Sequence, residues 1–66
     1  MLGRVAAFDE HAGLGTLIAD DGSEYRFHCI EIADGSRSIP DGTRVEFVLL
    51  PKLGRYEAAS VTKLNL

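Results

Sequence analysis

Sixty-six residues make one domain and leave no room for a second. A chain this short buries only about 60% of the surface it exposes when unfolded, so its core is thin, yet an apolar fraction of 45% excludes a disordered polymer. Ten acidic residues against seven basic ones give a net charge of −3, which removes long-range attraction toward phosphates and counts against strong nucleic-acid binding.

The single cysteine, Cys29, has no partner for an internal disulfide and fits a reducing compartment. No apolar stretch approaches the ~20 residues needed to cross a bilayer, and Met1–Val5 carries no apolar run of signal-peptide type. A cytoplasmic location without a membrane partner is therefore expected. Residues 1–66 are expected to form the single domain.

Strand one is predicted over Leu2–Phe8. Strict alternation sets Phe8 against Val5 there, a conflict that a β-bulge resolves. Gly13-Leu14-Gly15 follows. It is too short for a phosphate-cradling loop and no helix comes after it, so its glycines read as relief of backbone strain where strand two begins. Strand two is predicted over Leu14–Ala19, and Asp21-Gly22 is a good two-residue hairpin signal. Strand three, Glu24–Cys29, points Tyr25 and Phe27 one way and Arg26 and His28 the other.

Ile30–Ala33 has room for one short turn, and Ile39-Pro40 ends anything longer. Strand four, Thr43–Leu50, has the clearest pattern, with Val45, Phe47 and Leu49 sharing one face and Arg44 and Glu46 the other. Strand five is predicted over Arg55–Thr62. The expected class is all-β: a small closed five-stranded antiparallel barrel, since closure removes exposed strand edges. Val5, Leu17, Phe27, Val45, Phe47 and Val61 are its candidate core.

His28 beside Cys29 invites a metal or nucleophile reading. Adjacent strand residues point to opposite faces, so the two are poorly placed to grip one ion, and nothing marks a base or an oxyanion site for a cysteine nucleophile. Cys29 reads as a small, partly buried hydrophobe. No cofactor, metal or catalytic constellation is predicted, and the chain is not expected to be an enzyme. The acids Asp20, Asp21, Glu24 and Asp34 lie at turns and read as turn-formers.

The order of landmarks resembles the cold-shock domain along essentially the whole chain. Gly3-Arg4-Val5-Ala6-Ala7-Phe8-Asp9 resembles that family's Gly-x-Val-Lys-Trp-Phe-Asn. Ala12-Gly13-Leu14-Gly15-Thr16-Leu17 resembles Lys-Gly-Phe-Gly-Phe-Ile, and Tyr25-Arg26-Phe27-His28-Cys29 stands where Val-Phe-Val-His-Phe is expected. Asp34-Gly35-Ser36-Arg37-Ser38-Ile39, Asp41-Gly42-Thr43-Arg44-Val45-Glu46-Phe47 and Ala58-Ala59-Ser60-Val61 continue the agreement.

The resemblance implies an OB-type barrel that binds single-stranded RNA or DNA by stacking bases on aromatics from the first three strands. Carried over by position, it implies binding residues at Phe8, Leu14, Thr16, Arg26, His28 and Arg37. Only Phe8 and His28 keep the family's residue types. Ala7 replaces the tryptophan, Leu14, Thr16, Arg26 and Cys29 replace phenylalanines, Ser36 replaces a frequent loop aromatic, and Ala6 and Ala12 replace lysines. Binding is therefore expected to be weak, or shifted from stacking toward arginine contacts. Arg4, Arg37, Lys52 and Arg55 are candidates for a basic patch near the face. The alternative is that Leu14 and Thr16, with Ala6 and Ala7 nearby, form a docking face for a protein partner or a second copy of the chain.

Overall fold

Alternating apolar residues separated by turn-forming pairs fold as that pattern dictates. The computed structural model describes residues 1–64 and holds five strands: β1 (Leu2–Asp9), β2 (Leu14–Ala19), β3 (Glu24–His28), β4 (Arg44–Lys52) and β5 (Arg55–Lys63). They form one antiparallel sheet in the order β3-β2-β1-β4-β5. Strand three ends one residue earlier than expected, because Cys29–Glu31 turns as a short 3-10 segment.

The six candidate core residues are all buried, joined by Ala19, Ile32, Ile39 and Ala58. Phe27 and Phe47 are the largest fully buried side chains. The bulge anticipated in β1 is present. Its register against β2 passes from Val5↔Leu17 to Ala7↔Thr16, so one extra residue turns Ala7 outward and brings Phe8 back toward the core that Val5 faces.

The two glycines before and within β2 do different work. Gly13 has φ +67°, a conformation that favours glycine. Gly15 is required by close approach: a Cβ there would lie 2.5 Å from Phe27 Cζ and 2.7 Å from Phe8 Cδ1. Its bare backbone lets those rings stack, with centroids 5.9 Å apart and an interplanar angle of 24°.

The expected closure of the barrel needs correction in one respect. β3 and β5 are the two ends of the sheet, and no hydrogen-bonded ladder joins them. β3 is only five residues long and gives way to the 3-10 turn, so it offers too little edge to pair with β5. The seam is fastened instead by a single parallel bridge, Ile32↔Val61, with Ala33 N donating to Val61 O at 2.8 Å. Side chains add to it: Ser60 N donates to Glu31 Oε1 at 3.2 Å, and Lys63 Nζ lies 3.1 Å from Asp34 Oδ2. Among the described residues no helix is long and apolar enough to cross a membrane.

Candidate nucleic-acid interface

Because side chains alternate along a strand, the residues outside the core form their own register across β1, β2 and β3. Ala7 sits opposite Thr16, which sits opposite Arg26. One step along, Asp9 lies opposite Leu14, which lies opposite His28. Arg26 and His28 are exposed, Leu14 is 41% exposed, and Thr16 is half-buried. Four of the six residues expected at the site thus share one patch.

The other two are placed differently. Phe8 is half-buried, packs against the core and stacks on Phe27, so its ring is engaged below the patch rather than standing on it. Arg37 is exposed in the β3–β4 loop, where it borders a hollow of about 230 Å³ with Cys29, Ile30, Ile32, Gly35 and Ser36. That hollow begins one residue after His28.

The cations of the molecule differ in how firmly they are engaged. Arg44 holds Asp20 with two hydrogen bonds of 2.8 and 3.1 Å. The hydrogen bond lowers the Asp20 pKa and raises that of Arg44. Arg4 lies opposite Arg44 at the far end of β1 from Ala7, away from Arg55 and Lys52, which face each other at the β4–β5 turn. Arg4 therefore does not share a patch with Lys52 and Arg55. Among the described residues Arg44, Arg55 and Lys63 are each ion-paired with a carboxylate, and Arg26 is in none of those pairs.

Of the four acids read as turn-formers, Asp21 and Asp34 bond the backbone of their turns, whereas Asp20 is taken up by Arg44; Asp9 holds a further turn. Asp9 Oδ1 accepts from His11 N at 2.9 Å and Ala12 N at 3.2 Å. Asp21 accepts from Ser23 N, which lowers its pKa. Asp34 accepts from Ser36 and pairs with Lys63, which holds its carboxyl down at about 2.

Glu57 was not signalled by any motif. It is buried, with its side chain 8% exposed, and it lies at the seam where β5 approaches β3. Its Oε2 is 3.1 Å from Arg55 NH2 and its Oε1 is 3.9 Å from His28 Nε2. The spacing Arg55-x-Glu57 on a strand was the available hint, since it puts both side chains on one face. His28 is exposed while Cys29 is partly buried against the core. Among the described residues no group of three or more His, Cys, Asp or Glu is placed to hold a metal ion.

A five-stranded antiparallel sheet with an outward patch on its first three strands defines a small β-barrel of the oligonucleotide-binding kind. The family model described as the 'cold-shock' DNA-binding domain matches residues 1–64, and the chain belongs to that family. It is similar to two Bacillus cereus proteins, each named Cold shock-like protein CspC. Identity is 35% with each, over 97% of this chain and 100% of theirs.

Proposed function

We propose that this protein binds single-stranded RNA or DNA across the outward patch of β1–β3, weakly, with Arg26 supplying contacts that aromatic rings supply elsewhere in the family. It acts as a cytoplasmic binding protein and not as an enzyme. The observation that carries this reading is the continuous row Ala7–Thr16–Arg26 beside Leu14–His28, which keeps the geometry of a platform while removing most of its rings. Leu14, Thr16, Arg26 and His28 form its centre, with Phe8 beneath it and Arg37 at its margin.

Stacking is worth about 1–3 kcal/mol per base, so losing three rings moves a submicromolar ligand to roughly 10 μM or weaker. An arginine plane stacks on bases and also binds phosphate, which offsets part of that loss. Fluorescence anisotropy with a pyrimidine-rich heptamer, titrated at low and moderate salt, tests the reading. A constant of tens of micromolar that weakens steeply with salt supports it, and a nanomolar constant overturns the weak-binding part.

A second reading has its own observation. Leu14 at 41% and Ile30 at 84% exposure leave apolar surface on either side of His28, as docking of a protein or a second copy of the chain requires. That contact would be nearly insensitive to salt and would show in the sedimentation of the protein alone.

A further inference from the structure

We infer that a bound single strand crosses the seam from β3 onto the β4–β5 hairpin, with its phosphates held by a row of three cations, Arg26, Arg55 and Lys52. The inference rests on the single-strand reading above and adds the path of the ligand's backbone, which that reading leaves open.

The row follows from register. β3 and β5 share no ladder, but two contacts fix how they lie side by side: the parallel bridge Ile32↔Val61, and the approach of His28 Nε2 to Glu57 Oε1 at 3.9 Å. Both give the same parallel register. Two residues back along each strand, that register brings Arg26 beside Arg55. Alternation keeps Arg26 on the face of His28 and Arg55 on the face of Glu57. Across the β4–β5 ladder Arg55 lies opposite Lys52, and on the other side Arg26 lies opposite Thr16. The outward row Ala7–Thr16–Arg26 therefore continues over the seam to Arg55 and Lys52. All three cations are exposed.

The charge along this row is not balanced from within. Like charges directly opposite each other on neighbouring strands repel, and among the described residues two such pairs occur, Arg4↔Arg44 and Lys52↔Arg55. At the first, Asp20 takes up Arg44 with two hydrogen bonds. At the second a third cation stands alongside, and Glu57 meets only Arg55, at 3.1 Å. Among the described residues neither Arg26 nor Lys52 is in an ion pair. Glu24 stands two residues before Arg26 on the same face, opposite Ile18, and with it counted the cations still outnumber the acids. Three of the chain's seven Lys and Arg thus line up in a protein of net charge −3. Successive phosphodiesters supply the missing counter-charge through charge-assisted hydrogen bonds. Such a track positions the strand without reading its bases.

The test follows log affinity against log salt by fluorescence anisotropy with heptauridylate. Each phosphate contact on a single strand adds about 0.7 to the slope, so three give a slope of about 2. Lys52→Gln should weaken binding several-fold at low salt and lower the slope by about 0.7. Its unfolding midpoint should stay with the parent's, because Lys52 is exposed and outside the ion pairs described. Arg4→Gln, away from the row, should change neither constant nor slope. A Lys52→Gln protein with the parent's constant and slope overturns the inference and leaves the single-strand reading standing. So does a weakening without a change of slope, since Lys52 would then act through its apolar stem. An equal loss in Arg4→Gln also overturns it, because attraction would then be diffuse rather than held along a track. Failure of the parent to bind heptauridylate at low salt overturns the single-strand reading itself.

Discussion

The two faces of β1–β3 meet opposite physical demands. Inward, the strands carry Val5, Leu17 and Phe27, all essentially inaccessible to solvent. Outward, the same strands carry Ala7, Leu14, Thr16 and Arg26 at positions where the resemblance implies rings. Packing density constrains the first set residue by residue, because a cavity or an overlarge side chain costs stability directly. Nothing in the barrel constrains the second set except solubility and whatever binds there. The family's fold is therefore compatible with an outward face whose residues differ from the family pattern.

The strongest way to break this contrast is from the inside. Phe47→Ala should cost about 3–5 kcal/mol and leave little folded protein, as thermal unfolding by circular dichroism will show. A cooperative transition near that of the parent would mean that the interior is not the constrained face.

From the outside the effect should fall on binding and not on folding. The triple change Ala7→Trp, Thr16→Phe, Arg26→Phe places rings along one register row. At about 1 kcal/mol each they should tighten binding to a pyrimidine-rich heptamer by roughly a hundredfold. Coupling between neighbours and the lost arginine charge reduce that figure, and a tenfold gain by anisotropy already decides the matter. No gain in a folded triple variant would favour protein docking.

A smaller change sharpens the same comparison. Arg26→Ala should weaken binding several-fold and lower the slope of log affinity against log salt by about 0.7, the loss of one phosphate contact on a single strand. Its unfolding midpoint should not move measurably, because the side chain is exposed and outside the ion pairs described.

The least effect is expected at the seam. Asp34 is held at about 2 against an ordinary 3.8 by hydrogen bonds from Ser36 and by Lys63. A lowered carboxylate stabilises the fold above pH 4, and that contribution disappears as pH falls toward 2. Urea unfolding of the parent and of Asp34→Asn should differ slightly at neutral pH and converge near pH 2. The difference is small because Asp34 is 52% exposed.

The interior was readable from the chain because alternation has a period of two, and burial of Val45 and Phe47 opposite Arg44 and Glu46 follows from it directly. The β1 bulge was readable as a conflict: Val5 and Phe8 cannot both face inward without an extra residue. What that conflict implied for Phe8 was harder to see. Once the bulge turns it inward over Gly15, its ring is spent on Phe27, although the motif places it among ligand-binding positions.

Glu57 was not readable, because its meaning depends on His28, which the seam brings near from the other end of the sheet. No local pattern encodes a contact between two strands that share no ladder. The same is true of closure itself: composition and strand count predict a barrel, but whether its last edge is laced by backbone or by side chains depends on where Cys29 leaves the strand.

That seam gives the cylinder a weakest line. Elsewhere around its circumference neighbouring strands are tied by rows of amide–carbonyl bonds, and opening one place means breaking several at once. Between β5 and the turn that follows β3 the fastening is one backbone bridge and a few side-chain clasps, each of which can release alone. Amide protons on those two edges should therefore exchange with solvent through local opening, well before the global unfolding that exposes the interior of β1 and β2. Since His28 and Glu57 flank this line, a ligand bridging them would act as a stitch, and slowed exchange on both edges would be its signature.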